Sequence, residues 1–121
     1  MKRVLVVDDN KDILDILSLI FEQNNFEIAT ISKGEEVFSC IASFSPQIIL
    51  LDVFLGSMDG RDLCNELKSN PLTEHIPIIM FSAHSSWDNI SKVCKADDFI
   101  AKPFNVAEIV NKVNSLLISK N

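Results

Sequence analysis

The chain has 121 residues, of which 47% are hydrophobic, so it can bury one core of ordinary size and is not expected to be disordered. Its formal net charge of −6 argues against direct binding to a nucleic-acid backbone, which requires a basic surface. No apolar run approaches the ~20 residues of a membrane span, and the apolar start breaks off at Asp8, too early for a signal peptide.

The three cysteines are Cys40, Cys64 and Cys94. They are odd in number and widely spaced, and they form no CxxC or Cys/His pattern. Neither a zinc site nor a disulfide framework is therefore predicted. We expect buried or half-buried thiols in a reducing compartment.

Five apolar runs are predicted to be strands, over residues 4–7, 26–30, 48–51, 76–81 and 99–101. Between them the apolar residues recur at helical spacing, most clearly over residues 13–21 and 106–117. Asp59 is predicted to cap the third helix, and two further helix starts are predicted from the pairs Ser32/Glu35 and Asn105/Glu108. This alternation predicts a doubly wound α/β fold, with five parallel strands and five helices in a single domain over residues 1–121.

Polar residues follow four of the five predicted strands. Asp8 and Asp9 follow the first, Asp52 the third, Ser82 and Ala83 the fourth, and Lys102 and Pro103 the fifth. Ligands of doubly wound folds bind at these carboxyl ends of the strands. The sequence has no GxGxxG motif and no P-loop, so a dinucleotide or NTP site is not predicted.

The side chains at these strand ends suggest chemistry on a phosphoryl group. Three carboxylates in one place repel each other, and Mg²⁺ is the cation that suits such ligands. With the charge relieved, one carboxylate can attack phosphorus as a nucleophile. An ammonium group and a hydroxyl would then stabilise the phosphoryl oxygens.

Several segments, in this order, resemble the receiver (CheY-like) domain of bacterial two-component response regulators over essentially the whole chain. The matching segments are VLVVDD at residues 4–9, IILLD at 48–52, MDG at 58–60, PIIMFSA at 77–83 and ADDFIAKPF at 96–104. Each alone is a weak motif, but the five together are specific. The resemblance implies the strand order 2-1-3-4-5.

The resemblance also implies a role for each polar residue at the strand ends. Asp52 would accept the phosphoryl group from a sensor histidine kinase. Asp9 would bind Mg²⁺ directly, Asp8 mainly through water, and Phe54 through its backbone carbonyl. Lys102 and Ser82 would contact the phosphoryl oxygens. Such a protein is not a conventional enzyme, because it catalyses only its own phosphorylation and dephosphorylation.

The switch is likewise implied by the resemblance. Ser82 would move towards the phosphoryl group, and Phe99 would rotate into the space behind it. The surface of the fourth helix, fifth strand and fifth helix would then change its preference for partners. The Lys102–Pro103 peptide is expected to be cis, and the rim of the site is expected to comprise Phe54, Ala83 and His84.

Two segments depart from the family pattern. Lys95 stands where a glycine usually precedes Ala-Asp-Asp, which predicts an altered turn at the end of the fourth helix. Gly56 and Ser57 replace a common proline-containing turn after Asp52. Neither the Lys95 turn nor the Gly56-Ser57 segment removes a chemical group from the site.

Trp87 is expected to open the fourth helix as a packing residue.

Several functions remain open at this stage. The chain is either a stand-alone cytoplasmic switch, which includes phosphorelay intermediates, or the N-terminal regulatory half of a DNA-binding regulator. A small phosphatase is disfavoured, because Phe54 stands where a second acid would be needed. A flavin-binding relative of flavodoxin is a further alternative, and a colourless preparation of the protein would rule it out. The sequence identifies neither the cognate kinase nor the output partner.

Overall fold

The computed structural model describes residues 1–83 and 94–119. Five strands form the main sheet: β1 (Lys2–Val7), β2 (Phe26–Ile31), β3 (Ile48–Asp52), β6 (Ile78–Ser82) and β7 (Asp98–Ala101). Two shorter strands, β4 (Phe54–Leu55) and β5 (Met58–Asp59), lie outside it. The helices are α1 (Lys11–Gln23), α2 (Val37–Phe44), α3 (Gly60–Ser69) and the C-terminal helix (Val106–Ser119).

The main sheet has the order β2-β1-β3-β6-β7, and every neighbouring pair is parallel. Counting only these five strands, this is the order 2-1-3-4-5, so the prediction is confirmed. The predicted strand limits agree with the observed ones to within two residues. The carboxyl ends of β1 and β3 lie side by side, because Val7 is in register with Leu51.

Alternate residues of the central strands face two separate apolar layers. Leu5, Val7, Ile49 and Leu51 pack with residues of α2 and α3 on one face. Val4, Val6, Ile48 and Leu50 pack with residues of α1 and the C-terminal helix on the other. The helices therefore cover both faces of the sheet, which explains why these strands are continuous apolar runs.

Three helices begin at a side-chain cap. Asn10 accepts hydrogen bonds from the Asp12 and Ile13 amides, and Asp59 accepts one from the Arg61 amide. Asn105 accepts bonds from the amides of Ala107 and Glu108. The predicted caps at Asp59 and Asn105 are confirmed.

The predicted capping box of Ser32 and Glu35 is wrong. A 3₁₀ turn occupies Gly34–Glu36, α2 begins only at Val37, and neither of these elements has a side-chain cap. Gly34 is buried against the Met58 side chain, so the chain enters α2 through a tight turn that packs on the β4–β5 hairpin.

The short antiparallel pair of β4 and β5 begins two residues after Asp52. Gly56, which lies in the turn between them, has a φ of +66°, a conformation that glycine adopts without strain. The sequence did not predict this hairpin, because strands of two residues show no periodicity. The predicted fourth helix, with His84 and Trp87, lies outside the described residues.

Candidate functional site

Three carboxylates meet at the carboxyl end of the sheet. Asp8 follows β1 and is fully buried, Asp52 ends β3 and is 5% exposed, and Asp9 is exposed. One oxygen atom from each lies within 4.8 Å of the other two. Adjacent parallel strands bring these residues together from positions more than 40 apart in the sequence.

Backbone groups orient the two buried carboxylates. The Asp8 amide donates to the Ile31 carbonyl at 3.1 Å, and the Asn10 amide donates to Asp8 Oδ1 at 2.8 Å. The Phe54 amide donates to the Asp52 carboxylate, so the peptide of Phe54 lies beside the acidic group. The Phe54 side chain is 51% exposed and points away from the core.

Lys102 brings the positive charge to this cluster. Its Nζ lies 2.9 Å from Asp8 Oδ2 and 3.5 Å from Asp52 Oδ1. Nζ also lies 4.8 Å from the centre of the Phe81 ring, within the range of a cation–π contact. The Lys102 amide donates to the Ser82 carbonyl at 3.1 Å, and the Lys102–Pro103 peptide is cis.

One lysine does not balance the charge of three carboxylates. The pKa of Asp52 is raised to about 6, first because burial disfavours the ionised form and then because the Asp8 carboxylate repels it. Lys102 and the Phe54 amide act in the opposite direction. The cluster therefore carries an excess of negative charge that a further cation would relieve.

The remaining predicted residues lie around this cluster. Ser82 ends β6 and is buried, and it is in register with Ala101, the residue before Lys102. Phe99 is half-buried in β7, beside Met80, and packs on the core that faces α2 and α3. Ala83, predicted to lie on the rim, is exposed and lines a cavity together with Lys102, and His84 lies outside the described residues.

Three features of the site were missed at the sequence level. The Phe81 ring lies below the Lys102 ammonium, and a cavity of about 340 Å³ opens beside it, lined by Ile13, Ala83, Lys102, Pro103 and Phe104. Gly60 packs its backbone against Asp52. The glycine after Asp59 was the one available signal, because a close backbone approach requires that residue.

Comparison with known proteins gives the family. The model of the response regulator receiver domain matches residues 4–114. The chain belongs to this family. Acceptance of a phosphoryl group is the standard function of a receiver domain, and the resemblance seen in the sequence is thus confirmed.

Curated relatives are longer than this chain. The alkaline phosphatase synthesis transcriptional regulatory protein PhoP of Bacillus subtilis is 33% identical over 120 residues, which cover 96% of this chain and 48% of PhoP. The DNA-binding response regulator MtrA of Mycobacterium tuberculosis (strain H37Rv) is 32% identical, over 96% of this chain and 50% of MtrA. The chain spans about half the length of the curated relatives that it matches.

Two solved structures match this chain over nearly their whole length. A putative response regulator from Chloroflexus aurantiacus has a TM-score of 0.89 and 30% identity, covering 97% of this chain and 98% of that one. A CheY-like receiver domain protein from Methanospirillum hungatei has a TM-score of 0.90 and 28% identity, with coverage of 99% and 96%. The fold described above is therefore the receiver fold.

Proposed function

We propose that Asp52 accepts the phosphoryl group in this receiver domain, which comprises residues 1–121. The observation that carries the proposal is the cluster of Asp8, Asp9 and Asp52, with Lys102 bound between two of the carboxylates. Asp52 is the one of the three that ends a central strand and also receives an amide hydrogen bond from Phe54. These contacts orient it as the nucleophile.

The donor set of the cluster fits Mg²⁺. Carboxylate oxygens within 4.8 Å of one another can share one small cation. The pKa of Asp52 is raised first by burial and then by repulsion from Asp8, and such a cation would relieve that repulsion. Asp9, Asp52 and the backbone carbonyl of Phe54 would hold Mg²⁺, with Asp8 acting mainly through water. When bound, Mg²⁺ supplies charge neutralisation for the phosphoryl group.

Three residues of the chain have separate roles in phosphoryl transfer. An oxygen of Asp52 attacks phosphorus while the bond from phosphorus to the histidine of the sensor kinase breaks. Lys102, already 3.5 Å from Asp52, stabilises the charge on the phosphoryl oxygens, and the Ser82 hydroxyl meets one of them. Because Ser82 ends β6 and Lys102 directly follows the neighbouring strand β7, the transferred group would contact both.

The output of the switch would be read on the side of the sheet that ends in β7. Phe99 lies in this edge strand, and Lys112 of the C-terminal helix forms an ion pair with Asp98 at 2.9 Å. Movement of Ser82 would admit the Phe99 ring and alter the surface formed by the predicted fourth helix, β7 and the C-terminal helix. His84 would complete the rim with Phe54 and Ala83.

A DNA-binding regulator is the second candidate, because PhoP and MtrA carry about as much chain again beyond the matched half. In that case this receiver would be the regulatory half, and DNA contact would belong to the other half, in agreement with the net charge of −6 here. A phosphorelay intermediate would pass the phosphoryl group onward instead.

Each of these roles is proposed for the cytoplasm, where response regulators act. Among the described residues, no helix is both long and apolar enough to cross a membrane.

Phosphorylation by acetyl phosphate tests the proposal. Wild type, Asp52→Asn and the matched control Asp62→Asn, an exposed acid in the first turn of α3, are incubated with and without Mg²⁺. Mass spectrometry should find one hydroxylamine-labile phosphoryl group on wild type and the control, and none on Asp52→Asn or without Mg²⁺. Unmodified wild type, or label on another aspartate, would refute the assignment.

A further inference from the structure

Two of the three cysteines are neighbours inside the core. Cys64 of α3 is fully buried, and Cys94, which precedes β7, is 3% exposed. Both belong to the apolar cluster between the sheet and the helices α2 and α3. A hydrogen bond between their side chains contributes to the pKa of both thiols, which places the two sulfur atoms near each other within this cluster.

The surroundings of the pair favour a thiolate on Cys94. The pKa of Cys94 is lowered to about 7, chiefly by the hydrogen bond from Cys64, and the half-buried Arg61 guanidinium acts in the same direction. The pKa of Cys64 is raised by the same hydrogen bond and by burial. Cys94 is therefore the thiol of the pair that ionises more readily.

Cys40 provides the contrast within the same chain. It lies in α2, half-buried, where burial and the Glu36 carboxylate both raise the pKa of its thiol. The features that activate Cys94, a donated hydrogen bond and a nearby guanidinium, are not among the influences on Cys40.

We propose that Cys64 and Cys94 form a reversible intramolecular disulfide when the protein meets a hydroperoxide. The Cys94 thiolate attacks the peroxide oxygen, which breaks the O–O bond and releases water, leaving a sulfenic acid. The Cys64 sulfur then attacks the sulfenic sulfur and displaces a second water. Two thiols lose two electrons in total, and hydrogen peroxide is reduced to two waters.

The bond would join α3 to the segment that enters β7. The chain enclosed between the two cysteines includes β6 and Ser82, so oxidation would constrain the strand that carries the proposed switch hydroxyl. Closing a loop of this length restricts the unfolded chain, and we expect the oxidised protein to melt at a higher temperature than the reduced one. Because Cys94 is almost covered, the reaction should be slower than that of a surface thiol.

Counting free thiols tests the proposal. The folded full chain is treated with millimolar hydrogen peroxide, denatured, alkylated with N-ethylmaleimide and weighed by mass spectrometry. Reduced wild type should carry three labels, and oxidised wild type one label, on Cys40. Tryptic peptides that contain Cys64 and Cys94 should be joined, and dithiothreitol should restore three labels and the lower melting temperature.

Single alanine variants provide the controls, with circular dichroism to check that each is folded. Cys40→Ala should still form the bond, whereas Cys64→Ala and Cys94→Ala should not. Asp52→Asn should form it as well, which separates this proposal from the assignment of the phosphoacceptor. Retention of all three labels in oxidised wild type, a bond to Cys40, or intermolecular dimers as the product would each overturn it.

Discussion

The Lys102 ammonium group occupies a position for which a divalent cation bound to the cluster would compete. Its Nζ contacts the carboxylates of Asp8 and Asp52 at 2.9 and 3.5 Å, and the Phe81 ring lies at 4.8 Å. Binding of Mg²⁺ to the cluster would weaken these ion pairs, since a divalent cation attracts the same oxygens more strongly. Lys102 would then be released to meet the phosphoryl group.

Replacing Lys102 with Met should therefore separate metal binding from phosphoryl acceptance. We expect Lys102→Met to bind Mg²⁺ several-fold more tightly, because the competing charge is gone. Acceptance from acetyl phosphate should fall about 100-fold, a loss typical of removing one group that stabilises an oxyanion. Isothermal titration calorimetry gives the Mg²⁺ affinity, and mass spectrometry the rate.

Lys112→Met is the matched control, since Lys112 forms an ion pair of the same 2.9 Å length with Asp98, away from the cluster. It should leave Mg²⁺ affinity and phosphorylation rate near wild type. Weaker Mg²⁺ binding by Lys102→Met would contradict the competition between the two cations.

The polar residues of the site were predictable, and the aromatic one was not. Asp8, Asp52, Ser82 and Lys102 follow buried strands, so the topology alone brings them to one edge of the sheet. The contact between Lys102 and Phe81 depends on the direction of two side chains from neighbouring strands, which residue spacing does not specify. The sequence pattern therefore predicts Phe81 only as an apolar residue of its strand.

At the level of elements, the start of α3 is held against the strand that ends in Asp52. The Gly60 amide donates to the Val53 carbonyl at 2.6 Å, and a Cβ at Gly60 would overlap the Asp52 carbonyl oxygen. This close approach fixes the backbone between Asp52 and Phe54, the stretch proposed to bind Mg²⁺. Only glycine permits it without moving one of the two segments.

Gly60→Ala should thus weaken both the fold and the metal site. Overpacking against backbone should lower the free energy of unfolding by about 2 kcal/mol and reduce Mg²⁺ affinity, because the Phe54 peptide must shift. Gly56→Ala is the control: a Cβ there meets nothing within 4 Å, although the φ of +66° costs about 1 kcal/mol. Urea unfolding and Mg²⁺ titration should find the affinity changed only in Gly60→Ala, and equal affinities in both would contradict this role.

Strand positions were easier to predict than the starts of helices. The buried strands are continuous apolar runs because helices cover both faces, and that pattern is visible in the sequence. The Ser32/Glu35 pair matched a capping box, but packing of Gly34 on Met58 produced a 3₁₀ turn there instead. A cap is a local preference of about 1 kcal/mol, which tertiary packing outweighs.

For the whole molecule, the ionised acidic cluster lowers the free energy of unfolding. The pKa of Asp52 is raised from 3.8 to about 6 in the folded protein, mainly by burial and by Asp8. Between about pH 4 and pH 6 the folded chain thus retains a proton that the unfolded chain has released. The free energy of unfolding falls as the pH rises through this range, because the ionised carboxylate is less stable in the fold.

Asp52→Asn should remove this dependence, since the amide has the same shape but does not ionise. At 1.36 kcal/mol per pKa unit, we expect the variant to be about 2 to 3 kcal/mol more stable than wild type at pH 7 without Mg²⁺, and nearly equal to it at pH 4. Added Mg²⁺ should stabilise wild type and narrow the difference, because it binds the folded cluster and not the unfolded chain. Urea unfolding at pH 4 and pH 7, with and without Mg²⁺, measures these free energies.

Asp15→Asn, which removes an exposed carboxylate of α1, is the matched control, and its free energy of unfolding should equal that of wild type under all four conditions. A variant that is less stable than wild type at pH 7 would mean that the ionised Asp52 is held by favourable contacts stronger than the repulsion from Asp8.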